Sequence, residues 1–219
     1  LRTGAKPVVE GYQQPALLSL TVQFLISLLL LSIFETADRL LVEHLFGIAV
    51  AGTYFYYLSV ALFPFSFLQS YLGFRELPIF KGSFTLSLVH RKLCDALMLG
   101  TALVLLILLL VVSADRLAFL PRSLALDDHA LLYPLLATGL VRVLYSILSA
   151  AMGARAEARI IWRINLLMMV ALVALAVGLL IFRGLVTPVL VAYAFFLMYV
   201  FRAIVYYWGL RCGLKDATL

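Results

Sequence analysis

Six long apolar stretches separated by short polar segments run the length of the chain. A hydrocarbon core of roughly 30 Å is crossed by about 20 residues of helix. Stretches at about 15–36, 50–74, 96–113, 130–152, 164–182 and 186–208 meet that requirement. The pattern predicts an all-α integral membrane protein, a six-transmembrane-helix bundle in which residues 1–219 form one unit. Pro15 suits the first turn of its helix. Pro64 falls in the middle of the second stretch, where a missing N–H predicts a kink. The third stretch is almost uniformly Leu, Val and Ile apart from Thr101, and reads as lipid-facing scaffold. Arg183-Gly184 predicts a tight turn joining the last two stretches into a helical hairpin. The segment RELPIFKGSFTLSLVHRKLCD, from Arg75 to Asp95, alternates apolar and polar residues and predicts a piece lying along the membrane surface. ADRLAFLPRSLALDDH reads as a polar connector ending in a helix cap at Asp127-Asp128.

Composition agrees with this pattern. Hydrophobic residues make up 65% of the chain and charged residues 13%, with a mean hydropathy of +1.10. A soluble domain is about half apolar and a quarter charged. The formal net charge of +6 invites a nucleic-acid reading, but the basic residues sit in short segments between spans, as in cytoplasmic loops. No nucleic-acid partner is expected. Counted by segment, eleven Lys and Arg fall on one side of a six-span arrangement and four on the other. The positive-inside rule then places both termini in the cytoplasm. Tyr206, Tyr207 and Trp208 fall where an aromatic belt is expected. The chain opens on Leu1 with no cleavable leader before the first span, which suggests a C-terminal fragment with more protein upstream.

Catalytic chemistry finds little support. His44, His90 and His129 are scattered, no HExxH, GxSxG or phosphate-binding glycine loop occurs, and Cys94 and Cys212 lack metal-ligand spacing. The chain is therefore not expected to be an enzyme, nor to carry a cofactor or metal.

The polar residues inside the spans hold most of the information. Arg142 lies near the centre of the fourth span, where a charge costs about 2.5–3.5 kcal/mol on insertion scales. Thr138, Tyr145 or Ser146, Ser149 and Gly153 extend its face at three-to-four spacing. The stripe reads as a cationic wall for an anionic or hydroxyl-rich substrate, or as an arginine paired to a carboxylate or a broken helix. Arg202 is close enough to a span end to snorkel, with Tyr199 and Tyr206 placed for cation–π packing, and reads as structural. At the outer end of the first span, Ser32, Glu35 and Arg39 share a face, with Gln23 and Ser27 extending polarity along a neighbouring one. Glu35 reads as a buried acid suited to ion or proton coupling, and Asp38 as a second candidate for that role. Asp38 and Arg39 equally mark a water boundary. On the second span Gly52, Tyr56, Ser59, Ser66 and Ser70 form a face suited to pore lining or to close helix packing.

The stretch DRLLVEHLFGIAVAGTYFYYLSVAL resembles the element that opens the second six-helix half of polysaccharide and lipid-linked oligosaccharide flippases, in the MATE-like superfamily of multidrug and oligosaccharide exporters. The resemblance rests on Asp38-Arg39 after an apolar helix, a Leu-rich segment, Gly47, and the Ala51-Gly52-x-Tyr54 entry to the next helix. Pro78, Arg91-Lys92 and the small residues Ser149–Gly153 fit the later layout. The resemblance implies one half of a transporter of twelve or more helices in the bacterial inner membrane. Its partners would be membrane lipid, an undecaprenyl-linked glycan or polysaccharide precursor, an N-terminal six-helix half, and glycan synthase components. It places Gln23, Ser27, Glu35 and Tyr56 beside a central cavity, joined by Arg142, Tyr145 and Ser149 from the polar stripe. A cation-coupled drug exporter and a non-transporting scaffold subunit of a polysaccharide synthase are the alternatives.

Overall fold

The computed structural model describes residues 14–117, 129–155 and 158–216. These form six helices, α1 (Gln14–Phe46), α2 (Ile48–Gly82), α3 (Leu86–Leu117), α4 (His129–Arg155), α5 (Ala158–Ile181) and α6 (Pro188–Asp216). Five of them, α2 to α6, are long and apolar enough to cross a membrane. The side chains of Gln23 and Ser27 and the Asp127-Asp128 cap lie outside the described residues, and so do the expectations placed on them.

Local chemistry sets most of the helix boundaries. A single residue, Gly47, separates α1 from α2, and its φ of +83° lies in the left-handed region. A β-carbon there would meet nothing within 4 Å, so the position calls for glycine by conformation and not by space. Thr85 caps α3, its Oγ1 accepting the Leu88 N–H at 3.2 Å. Thr187 caps α6 in the same way, accepting from Leu190 N–H at 3.2 Å, with Pro188 at the first helical position. Between α5 and α6 the Leu185 N–H closes a turn on the Phe182 carbonyl at 2.9 Å. The tight turn expected at Arg183-Gly184 is there.

Residues 75–95 do not form a separate connector. Instead α2 continues through both Pro64 and Pro78 to Gly82, and α3 begins after three intervening residues. Glu76 explains the continuation. It is 2% exposed and receives Lys92 Nζ at 3.0 Å from α3, with Arg75 Nε at 3.4 Å on its other oxygen. That pairing holds the last turns of α2 against the first of α3, which offsets the hydrogen bond Pro78 cannot make. A short apolar/polar alternation does not distinguish a surface segment from a helix with one buried charged face.

The centre of the bundle is α4. It packs against α2, α6 and α3, and 67% of its apolar window is buried, against 22% for α3. Small residues permit the close approach. A β-carbon on Gly139 would lie 2.5 Å from Cδ2 of Phe65, so the α4 backbone rests directly on an α2 ring. A β-carbon on Gly209 of α6 would lie 2.8 Å from Met152 Cε on α4. Tyr54 and Phe65 of α2, Leu132, Ile147 and Met152 of α4 and Val191 of α6 are fully buried between these helices. Outward, Leu105, Leu106, Leu109 and Leu110 of α3 stay exposed, in keeping with the lipid-facing reading of that segment.

Candidate functional site

An ion-paired junction inside this bundle adjoins an open groove. The junction is built on Arg142. Its place on the buried helix α4 gives its side chain two neighbours on other elements. Nη2 donates to Glu35 Oε1 of α1 at 3.1 Å, and Nε donates to Gln69 Oε1 of α2 at 3.2 Å. The guanidinium also lies 5.6 Å from the ring centroid of Tyr199 on α6, within cation–π range. One side chain therefore ties four helices together. Of the readings open for Arg142, pairing to a carboxylate is what the structure displays, and the carboxylate is itself one of the candidate residues.

Asp38 follows Glu35 on α1 by three residues and shares its face. The two carboxylates differ in the reverse of the expected order. Asp38 is the deeply buried one, 8% exposed, whereas the Glu35 side chain is 36% exposed. Asp38 Oδ2 accepts the Tyr54 hydroxyl of α2 at 3.2 Å, and Oδ1 accepts the Arg39 backbone N–H at 2.9 Å. Arg39 turns its guanidinium over Phe55 at 4.9 Å, and its Nε has no hydrogen-bond partner. Asp38 is thus more than a boundary mark, because it fixes α1 to the first turns of α2. The space between Glu35, Asp38, Tyr54, Thr138, Arg142 and Tyr199 amounts to about 10 Å³, room for about one water. Thr138 lines it, but its hydroxyl is already donated to the Pro134 carbonyl at 2.8 Å.

The groove begins where the junction ends, at Gln69. It opens between α2 and α4 with a volume of about 380 Å³, and its walls include Gln69, Ser70 and Gly73 of α2 and Tyr145, Ser149 and Gly153 of α4. The polar, small-residue stripe expected on the fourth span therefore divides between two surroundings. Thr138 and Arg142 face the closed junction, while Tyr145, Ser146, Ser149 and Gly153 face the groove. Of the expected α2 face, Ser70 reaches the groove. Ser66 donates to the Leu62 carbonyl at 3.1 Å. Tyr56 lines neither space and packs edge-on against Tyr57, with centroids 6.1 Å apart.

Arg202 stands behind the groove wall. It is 4% exposed and surrounded by rings, with Tyr145 at 4.3 Å, Phe34 at 4.9 Å and Tyr206 at 5.8 Å. The expected contact with Tyr206 is present, but the nearer rings come from α4 and α1, and Tyr199 packs edge-on against Phe34 instead. No carboxylate among the described residues pairs with Arg202, and its Nε and Nη1 lack hydrogen-bond partners.

Sequence reasoning missed Gln69 and the role of Tyr54 in holding Asp38. A signal for Gln69 existed, since it stands with Ser70 as a polar break in the apolar run from Pro64 to Leu72. Among the described residues no three His, Cys, Asp or Glu side chains are placed to hold a metal ion. No family model matches the chain, and neither a curated protein nor a solved structure gives a match.

Proposed function

We propose that this chain is a six-span membrane bundle forming one half of a transporter that moves a lipid-linked oligosaccharide or polysaccharide precursor across the bacterial inner membrane by alternating access. In this reading α1 is the sixth span, both ends of the segment face the cytoplasm, and an N-terminal bundle supplies the other wall of the path. The family assignment rests on the sequence resemblance around Asp38-Arg39, Gly47 and Ala51-Gly52-x-Tyr54. One structural observation supports transport. The Glu35–Arg142–Gln69 junction joins three helices through two interhelical bonds, and it borders a groove of about 380 Å³ whose mostly apolar wall, Phe74 and Leu77 included, carries Gln69, Ser70, Tyr145 and Ser149. Serine, tyrosine and backbone exposed at glycine suit sugar hydroxyls. An ion pair that links separate helices, with one partner half-exposed, can break and reform as those helices move. Arg142 is the group for an anionic or sugar headgroup, and Glu35 and Asp38 are the groups for ion or proton coupling.

A second reading, a non-transporting scaffold subunit of a polysaccharide synthase, is favoured by one observation. The charge of Arg142 is matched inside the bundle, with room for only about one water beside it. Glycan export by the full-length protein at normal abundance separates the two. Under the transport reading Ser149→Trp, which fills the groove, and Arg142→Ala each lower export at least tenfold. Unchanged export in both, with the protein still present in the membrane, overturns transport through this groove.

A further inference from the structure

A second groove lies away from the junction, and its ends differ in character. It runs between α2 and α3, encloses about 500 Å³, and is walled by Pro64, Phe67 and Tyr71 on α2 and by Leu99, Ala102 and Leu106 on α3. These walls are apolar and open outward. Phe67, Tyr71, Leu99 and Leu106 are all exposed, and Ala102 leaves the floor low. Pro64 lies in the groove's wall, within the unbroken α2, and the Glu76–Lys92 pair at 3.0 Å clamps the two helices together farther along.

The clamped end is basic. Arg75 follows Tyr71 by one turn, sits over its ring at 5.8 Å and keeps its side chain 47% exposed. Lys81, Arg91 and Lys92 share that end with the acids Glu76 and Asp95. Of these acids, Glu76 is buried and already paired to Lys92 and Arg75. The eleven helical steps from Pro64 to Arg75 rise about 16 Å, close to one leaflet of a hydrocarbon core roughly 30 Å thick. The apolar slot itself, from Pro64 to Tyr71, is about 10 Å deep, and with the exposed guanidinium one turn beyond it the whole has the length and charge of a lipid's upper chain and head.

We infer that the α2/α3 groove is a site for a phospholipid with an anionic headgroup, one acyl chain lying between Pro64 and Tyr71 and the phosphate region meeting Arg75. The site rests on the membrane reading of these helices but not on transport, and it is separate from the groove at Gln69. A phospholipid is favoured over a partner helix because the charge is confined to one end of the slot, where the exposed Arg75 stands one turn beyond the apolar walls, as a lipid's head and chain require.

The test is lipid retention by the full-length protein, released from membrane and titrated with phosphatidylglycerol or phosphatidylcholine under native mass spectrometry. Phosphatidylglycerol binds about fivefold more tightly, the worth of one basic residue at an anionic surface. Arg75→Gln brings the two lipids level, Ala102→Trp lowers retention of both, and Arg183→Gln in the α5–α6 turn leaves the preference unchanged. Thermal unfolding of each variant establishes that it is folded. Equal retention of the two lipids by the unaltered protein, or full retention by folded Ala102→Trp, overturns the site. Export of glycan is scored separately, so loss of the lipid site with export intact, or the reverse, shows which of the two readings has failed.

Discussion

Removing the two partners of the Arg142–Glu35 pair one at a time should not cost the same. The Arg142 side chain is 13% exposed and the Glu35 side chain 36%. Taking one partner from a fully buried ion pair costs about 3–5 kcal/mol, because the remaining charge is left uncompensated in a poor solvent. Glu35→Leu leaves Arg142, the more enclosed partner, hydrogen-bonded only to the neutral Gln69 oxygen at 3.2 Å, with the Tyr199 face at 5.6 Å and Asp38 across the shared space. Discounted for the open side of the pair, its cost is about 2 kcal/mol. Arg142→Met leaves Glu35, which can turn outward, and costs about 1 kcal/mol or less. The double variant carries neither charge and should be more stable than Glu35→Leu alone, as buried pairs exchanged for apolar residues generally are. For a chain of this size 1 kcal/mol moves Tm by about 2–4 °C. Glu35→Leu then falls about 4–8 °C, Arg142→Met falls less, and the double variant recovers part of the loss. Thermal unfolding of the purified full-length protein in one detergent, followed by intrinsic tyrosine and tryptophan fluorescence, reads all three. A larger drop for Arg142→Met than for Glu35→Leu, or a double variant equal to the sum of the singles, would refute the argument from unequal enclosure.

Three further outcomes are expected from the same measurement. Gly139→Ala places a β-carbon 2.5 to 2.8 Å from three atoms of the Phe65 ring and should cost about 1–3 kcal/mol, with Phe65→Leu recovering part of it in the double variant. Tyr54→Phe removes the hydroxyl that donates to Asp38 at 3.2 Å, leaves a buried carboxylate short of one donor, and should cost about 1–3 kcal/mol. Arg202→Met should be neutral or stabilising, since it removes a buried charge with two unpartnered nitrogens and keeps the ring contacts. A Tm drop of more than about 4 °C would show that the cation–π contacts with Phe34, Tyr145 and Tyr206 outweigh the cost of burying the charge.

The helical, membrane-suited fold was legible because hydropathy over about 20 residues is a local property, and α2 to α6 meet that test in the structure. Boundaries were less legible where a buried charge carried a helix onward. Glu76 looked like surface polarity in the sequence, but Lys92 on α3 neutralises it and α2 runs on through Pro78. At the junction, residue types were readable and partners were not. Arg142 and Glu35 both stood out as charges in apolar surroundings, yet they lie 107 positions apart, and no local pattern joins them. Phase was the other limit. Tyr54 and Tyr56 are two residues apart, about 200° around a helix, so nominating one over the other requires knowing where α1 and α4 stand. Only the fold supplies that, and it turns Tyr54 toward Asp38.

The one-residue corner at Gly47 has a consequence for how α1 and α2 can move. With no slack loop between them, the rotation of α1 about its own axis is locked to that of α2, much as two gears on one shaft share a setting. Glu35 meets Arg142 and Asp38 meets Tyr54 only at that setting. One extra residue at the corner would turn α1 by about 100° and carry both carboxylates off their partners together. The two contacts are therefore coupled through one corner, whose freedom lies in the φ and ψ of Gly47 and its immediate neighbours.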